Sequence, residues 1–291
     1  MTTPARNVRV DIATDLDPAK AGGPGRFFNA FTRKTSVENL RVAFKVVKSL
    51  KREPNTCEVV IYNLAGSRKR FQSYPAHITL SAGRGDQLKQ LFKGDVLPGG
   101  ARSKLEGPNW ITRVQAGTGA AGHRSGRISR TYRAGTDFKT VVRDIAESNG
   151  LKIPASAADV QEFLGKLSTG ITLNGPSSKE MHRILGAKGF SHSIQDDQLQ
   201  LLKDGDVSKA RAIVCSEATG MLGSPELGTP EAKGKPPVLT VRMWLEPELS
   251  PGGLLSVASR DIRGAFKILR VTHTGDNRGK PWYSDVEATP L

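Results

Sequence analysis

Two stretches near the start of the chain alternate apolar and polar residues with a period of two. In LRVAFKVVK, Leu40, Val42, Phe44 and Val46 alternate with Arg41, Ala43, Lys45 and Val47. In TCEVVIYNL, Cys57, Val59, Ile61 and Asn63 alternate with Glu58, Val60, Tyr62 and Leu64. Successive side chains of a strand point to opposite faces, so this pattern predicts a sheet with one packed and one wet face. The β-branched residues concentrated there favour strands further. HITLSAG adds a strand ending in glycine, QLFKGDV a strand opening the next turn, and GSRKRFQSY a short helical or irregular connection. From Pro98 to Arg133 the composition shifts toward Gly, Ser and Arg around one strand, NWITRVQAG. The glycines of GTGAAGHRSGRISRTYR predict a mobile loop or hairpin tip there.

The period changes at Thr136. TDFKTVVRDIAESNG places Phe138, Val141, Val142 and Ile145 at helical spacing, with Thr136 or Asp137 as N-cap and Gly150 as stop. SSKEMHRILGAKGF repeats the pattern, with Ser177 or Ser178 as cap and Met181, Ile184 and Leu185 as the apolar face. FSHSIQDDQLQLL reads as a hairpin turning at Asp196 and Asp197. Between Lys203 and Pro237 the signal weakens, and the Gly/Pro/Ser-rich GMLGSPELGTPEAKGKPP predicts a long connection or extended loop. Strands return in VLTVRMWL, GGLLSVAS, GAFKILRVTHTGD and WYSDVEATPL. The layout is β, then α/β, then β, with two similar sheets bracketing the helical module.

The chemistry is sparse. His77, His123, His182, His192 and His273 are scattered, without an HExxH, GxSxG or Walker pattern beside them. His182 and Asp144 could meet between helices, but a helix-surface histidine is the simpler reading. GRGDQ (Gly83 to Gln87) reads as a strand-to-strand turn. Asp196 and Asp197 read as solvated turn formers rather than a cation site. GTGAAG lacks the Lys-Ser or Lys-Thr of a phosphate loop. Cys57 and Cys215 sit in apolar, strand-like contexts and read as buried thiols, with a disulfide left open. No apolar run approaches the roughly 20 residues that span a bilayer, and the charged N-terminus lacks a signal-peptide core, which predicts a protein made soluble in the cytoplasm. No enzyme, cofactor or metal is expected.

The charge balance is not neutral: 43 Lys and Arg against 28 Asp and Glu give +15. Arg113, Arg124, Arg127, Arg130 and Arg133 crowd the Gly-rich stretch, and Arg41, Lys45, Lys48, Lys51 and Arg52 line another. These suit a solvated basic surface, carboxylates of a neighbouring subunit, or phosphates of nucleic acid. Only 6% of residues are aromatic, which disfavours base stacking.

The order of these pieces resembles phage baseplate hub proteins. LRVAFKVVKS, NTCEVVIYNL, ITLSAG and LFKGDV are similar to their opening barrel, and TDFKTVVRDIAESNGLKI and SSKEMHRILGAKGFSHSIQDDQLQLL to the helix and helix-hairpin that follow. The ending matches most specifically: Trp244, Leu245, Pro247, Pro251, Gly252 and Gly253 in MWLEPELSPGG, then Gly264, His273, Gly275, Asp276 and Trp282 in GAFKILRVTHTGDNRGKPW. The resemblance implies an α+β, mainly β chain, with two tail-tube-like β-barrels bracketing a small α/β module: 1–135, 136–204 and 205–291, the last including a linker. Phe44, Val59, Ile61, Trp244, Phe266, Ile268 and Val271 would be core or inter-barrel residues. It further implies a structural virion protein at the tail tip, assembled in the host cytoplasm. Three copies would form a homotrimeric ring around the DNA channel, adapting the sixfold tail tube to a threefold spike. Partners would be the tail tube or distal tail protein, the central spike, baseplate wedge proteins and the tape measure protein, with DNA in transient passage. The alternative reading is a basic nucleic-acid-binding module.

Overall fold

The computed structural model describes residues 5–16, 31–51, 53–64, 75–151, 153, 165–203, 205–208, 211–230 and 236–291. The KAGGPG segment, Arg52 and the GSRKRFQSY connection lie outside them. Seven strands come first: β1 (Arg6–Leu16), β2 (Phe31–Val37), β3 (Val42–Ser49), β4 (Thr56–Tyr62), β5 (His77–Arg84), β6 (Gln87–Glu106) and β7 (Asn109–Gly117). The middle holds α1 (Ala120–Ser125), β8 (Arg127–Tyr132), α2 (Phe138–Ser148), β9 (Ile171–Pro176), α3 (Ser177–Gly186), β10 (Phe190–Gln195) and β11 (Gln198–Lys203). The end returns to strands: β12 (Ile213–Ser216), β13 (Met221–Leu227), β14 (Leu239–Trp244), β15 (Leu254–Ala258), β16 (Arg263–Asp276) and β17 (Trp282–Pro290). The chain is mainly β with a small helical part, as the alternating patterns require.

Thirteen strands share one hydrogen-bond ladder, in the order β13-β14-β17-β16-β3-β4-β7-β6-β5-β1-β2, with β15 on β16 and β12 on β15. Both β regions use one wiring. A hairpin (β3-β4 or β13-β14) pairs through its second strand with the last strand of a meander (β5-β6-β7 or β15-β16-β17). In each region the two end strands are consecutive in sequence. β2 and β3 are joined through residues 38–41, and β12 and β13 through 217–220. Four linking residues reach at most ~18 Å, whereas six or seven flat strands would separate their ends by roughly 24–29 Å. Each sheet must therefore curl until its ends approach.

Buried side chains form three clusters. The first gathers Val42, Phe44, Val46, Cys57, Val59, Ile61 and their neighbours on β1 to β7. The second holds Phe138, Val141, Val142 and Ile145 of α2 with Met181, Ile184 and Leu185 of α3, together with Ile128 and Tyr132 of β8. The third holds Leu239, Val241, Met243, Phe266, Ile268 and Val271. Cys57 and Cys215 are free thiols in the first and third clusters. Burial pushes the Cys215 thiol up to about 11.

Four local expectations are corrected. The Gly-rich stretch is packed: it forms α1 and then β8, which pairs antiparallel with β9. Its glycines serve close approach, since a Cβ on Gly122 would lie 1.7 Å from the carbonyl oxygen of Asn149 and one on Gly126 2.2 Å from its side-chain oxygen. The start of GMLGSPELGTPEAKGKPP is a strand, β13, whereas the strand-like context of Cys215 is β12. Helix α3 is capped by neither serine; Pro176 occupies the cap, and Ser177 is buried with its hydroxyl 2.7 Å from that of Ser148. Trp244, expected in the core or between the barrels, is 42% exposed. Asp137 does cap α2, accepting from the Lys139 N–H at 3.2 Å.

Candidate assembly joints

The ending motif builds a joint between the two β regions. The first half of β16 pairs with β15, its second half with β3 on the same side, and β17 runs along the other. Gly275 faces Phe44 so closely that a Cβ would lie 2.3 Å from the ring. That gap lets Phe44 reach Trp282, edge to face at 5.9 Å, and places Trp282 in the first cluster although it lies on β17. Asp276 then closes the start of β3. Burial works against its charge, but Arg41, with Nη2 2.8 Å away, and the Arg278 N–H outweigh this and hold the carboxyl below its ordinary range. Asn277 accepts from the Val42 N–H and donates to the Leu40 carbonyl.

The remaining motif residues tie in the neighbours. His273 is fully buried with Nδ1 2.8 Å from the Ser284 hydroxyl; burial, then Lys48, push its pKa down to about 3, so the ring is neutral. Leu245 donates its N–H to the Trp282 carbonyl. Pro251 and Gly252 meet the helical module: the Pro251 carbonyl accepts from Gln200, and Gly252 turns at φ +82 against Leu202. Gly264 lies opposite Val257 in the β15 ladder, and Pro247 is half-buried in the turn after β14. Trp244 rests on Gly220 and under the Arg84 guanidinium, 5.0 Å from its ring. The Arg-Gly-Asp turn is thus folded onto its own chain through its arginine.

A second joint, missed in the sequence, docks the β10-β11 hairpin onto the first β region. Asp196 and Asp197 do form the two-residue turn, both at positive φ. They are not solvated turn residues: Asp196 pairs with buried Lys48 at 2.9 Å, and Asp197 is 3% exposed. Asp197 accepts from the Gly119 N–H and faces His77 Nε2 at 3.2 Å, while Asp95 faces the other ring nitrogen at 3.4 Å and Lys93 stands 3.9 Å from Asp197. Burial opposes the charge on His77, yet the two carboxylates outweigh it and raise its pKa; burial also raises that of Asp197. Buried Asn55 donates to the Ile194 carbonyl and the Gln195 side chain, and Gln195 donates to the Ser49 carbonyl. One signal was present: Lys48 continues the inward phase of Val42, Phe44 and Val46, so it is no part of a basic surface.

The arginines of the Gly-rich stretch do not form one stripe. Arg113, on β7, lies 3.5 Å from Glu58 and 3.8 Å from Glu106. Arg130 pairs with Asp144 of α2 at 2.6 Å, so that carboxylate meets Arg130 and Tyr132 rather than His182. Arg127 and Arg133 are exposed, and Arg124 lies on α1. Among the described residues no group of three His, Cys, Asp or Glu could hold a metal ion, and no helix is long and apolar enough to cross a membrane.

Solved phage tail proteins share this fold. A tail protein from Neisseria meningitidis MC58 superposes with a TM-score of 0.63 at 9% identity, covering 99% of this chain and 97% of its own. The 43 kDa tail protein of prophage MuSo2 from Shewanella oneidensis gives 0.62 at 8% identity, with 99% and 97% coverage. The Escherichia coli c3393 protein, a type VI secretion component described as similar to the T4 tail proteins gp27 and gp5, gives 0.58 at 13% identity over 86% and 73%. A search of curated protein sequences finds no match. The Baseplate hub gp41 family profile matches residues 28–288, which is most of the chain, and so this protein belongs to the baseplate hub gp41 family of phage tail structural proteins.

Proposed function

We propose that three copies of this baseplate component form a ring that carries the sixfold symmetry of the tail tube over to a threefold spike, with the DNA channel through its centre. The observation that supports this is the repeated wiring of the two β regions, because two like units per chain in a trimer present six like units to a sixfold partner. In this reading each β region is a tube-like barrel domain, the segment around 136–204 is an outer module, and the chain acts by binding rather than by turnover. The tube or distal tail protein would stack on one face and the spike on the other, with wedge and tape measure proteins as further neighbours. Basic residues such as Arg127 and Arg133 would meet carboxylates of these partners. Assembly would take place in the host cytoplasm.

The test is a reconstruction of the assembled tail tip together with the mass of the purified oligomer. A trimer whose six β units obey a pseudo-sixfold axis is expected. A different stoichiometry, or β units that fail to superpose, would overturn the reading.

A further inference from the structure

The β10-β11 hairpin is held down by ionisable groups from four parts of the chain, and the geometry of that site fixes its proton count. Among the described residues, Asp196 and Asp197 come from the hairpin, Lys48 from β3, His77 from β5, and Lys93 and Asp95 from β6. The turn's further contact, the Gly119 N–H to Asp197, is uncharged, as is Ala13, which stands opposite His77 on β1. Both ring nitrogens of His77 face carboxylate oxygens: Nε2 that of Asp197 at 3.2 Å, and Nδ1 that of Asp95 at 3.4 Å. A neutral imidazole has one N–H and one lone pair, so it would turn a lone pair onto a buried carboxylate. The line Asp95-His77-Asp197 therefore needs two protons, whether the second sits on the ring or on Asp197. With both in place the cations and carboxylates of the site balance, and with one fewer a buried negative charge is left over.

The hairpin can respond as a unit. It forms a two-stranded sheet of its own outside the thirteen-strand ladder, and Phe190, Ile194, Leu199 and Leu201 tie it to the core of the helical module. Lifting it breaks bonds at Lys48, Asn55, His77 and Gly119 but leaves every strand pair of the ladder intact. We infer that this site is a proton-operated latch: the helical module stays docked on the first β region while two protons lie along Asp95-His77-Asp197, and its hairpin lifts when one of them leaves for solvent. The latch belongs to a single chain and does not depend on the ring. Its direction follows from linkage. Undocked, the ring returns toward its ordinary 6.5; docked, burial opposes its charge but Asp197 and Asp95 outweigh that and hold the proton more tightly. Docking strength is therefore fully present below 6.5 and is lost as pH rises through the raised docked value. Burial raises Asp197 as well and acts in the same direction. The bonds of Asn55 and Gln195 join neutral amides and carbonyls, so they add to docking without making it depend on pH.

The experiment follows amide hydrogen exchange of the full-length chain from about pH 6 to about pH 9, expressed as protection factors so that the intrinsic pH dependence of exchange drops out. Protection in β10 and β11 should fall by at least roughly tenfold, the equivalent of one unit of pKa, while β14 and β17 keep theirs and so report that the β regions remain folded. Asp95→Asn is the deciding variant. Its carboxamide can donate to the Nδ1 lone pair, so a neutral ring with its proton on Nε2 suffices, and the hairpin should stay protected at the alkaline end. In His77→Gln the hairpin should be less protected at the acid end and show no trend with pH. Hairpin protection that stays constant in the wild-type chain, that falls equally in Asp95→Asn, or that keeps its pH trend in His77→Gln would overturn the latch. So would a fall shared equally by β14 and β17, which would mark unfolding of the whole chain.

Discussion

The two β regions share their wiring and differ at their edges. In the C-terminal region β16 is flanked on both sides along its length, and the aromatic at the joint, Trp282, is sealed against Phe44. In the N-terminal region the equivalent stretch of β6 is flanked by β7, and Trp110 keeps 41% of its surface in water. The same local design is therefore flanked by a second strand in one region and, among the described residues, not in the other. An open sheet edge invites indiscriminate pairing, and the irregular register of β6 discourages it.

The strongest way to break the comparison is to remove the aromatic that differs. Trp282→Ala should cost about 3–5 kcal/mol, because it empties a buried site shared by both regions, and chemical denaturation should show one cooperative loss. Trp110→Ala should cost far less in the monomer; equal losses would show that the two joints are not distinct. Lys48→Met comes next. It strands Asp196 next to a neutral side chain and should destabilise by about 2 kcal/mol, less than a fully buried pair because Asp196 stays 28% exposed. Hydrogen exchange should then quicken in the β10-β11 hairpin before it does in β14 or β17.

A pH dependence sharpens the picture further. His77 and Asp197 both hold protons more tightly in the fold than in the unfolded chain. For His77 this stability is fully present below about 6.5, its ordinary pKa, and is lost as pH rises through the raised folded value. Melting temperatures should therefore fall on the alkaline side, and His77→Gln should flatten that fall; a stability that rose with pH above 6.5 would contradict it. The smallest effect is expected at Arg242 and Asp285, an exposed pair 2.6 Å apart on β14 and β17. A double-mutant cycle there should return no more than about 0.5 kcal/mol.

Much of this was legible in the sequence because strand and helix periods are local. Val42, Phe44 and Val46, and Phe138, Val141, Val142 and Ile145, are buried in the expected phases. The failures share a cause. Glycine serves both mobility and close approach, and only the end of α2, folded over Gly122 and Gly126, decides which applies. The Asp196-Asp197 turn was readable, but its burial depends on Lys48, His77 and Gly119, which are distant in sequence. Strand β13 is hidden by its Gly223 and Pro225, since a strand at a sheet edge tolerates residues that a central strand does not. Trp244 is exposed because the alternation of β14 fixes its phase, while the Arg84 and Gly220 that lie against it are distant in sequence.

Strand β16 also has a mechanical meaning. Its fourteen residues are bonded in succession to β15 and β3 on one side and to β17 on the other. A pull that tried to slide one β region past the other along this strand would load those backbone bonds in shear, so that many must fail together instead of opening one at a time like a zipper. Tension between the C-terminal and N-terminal regions thus passes through the hydrogen bonds of the β16-β3 ladder.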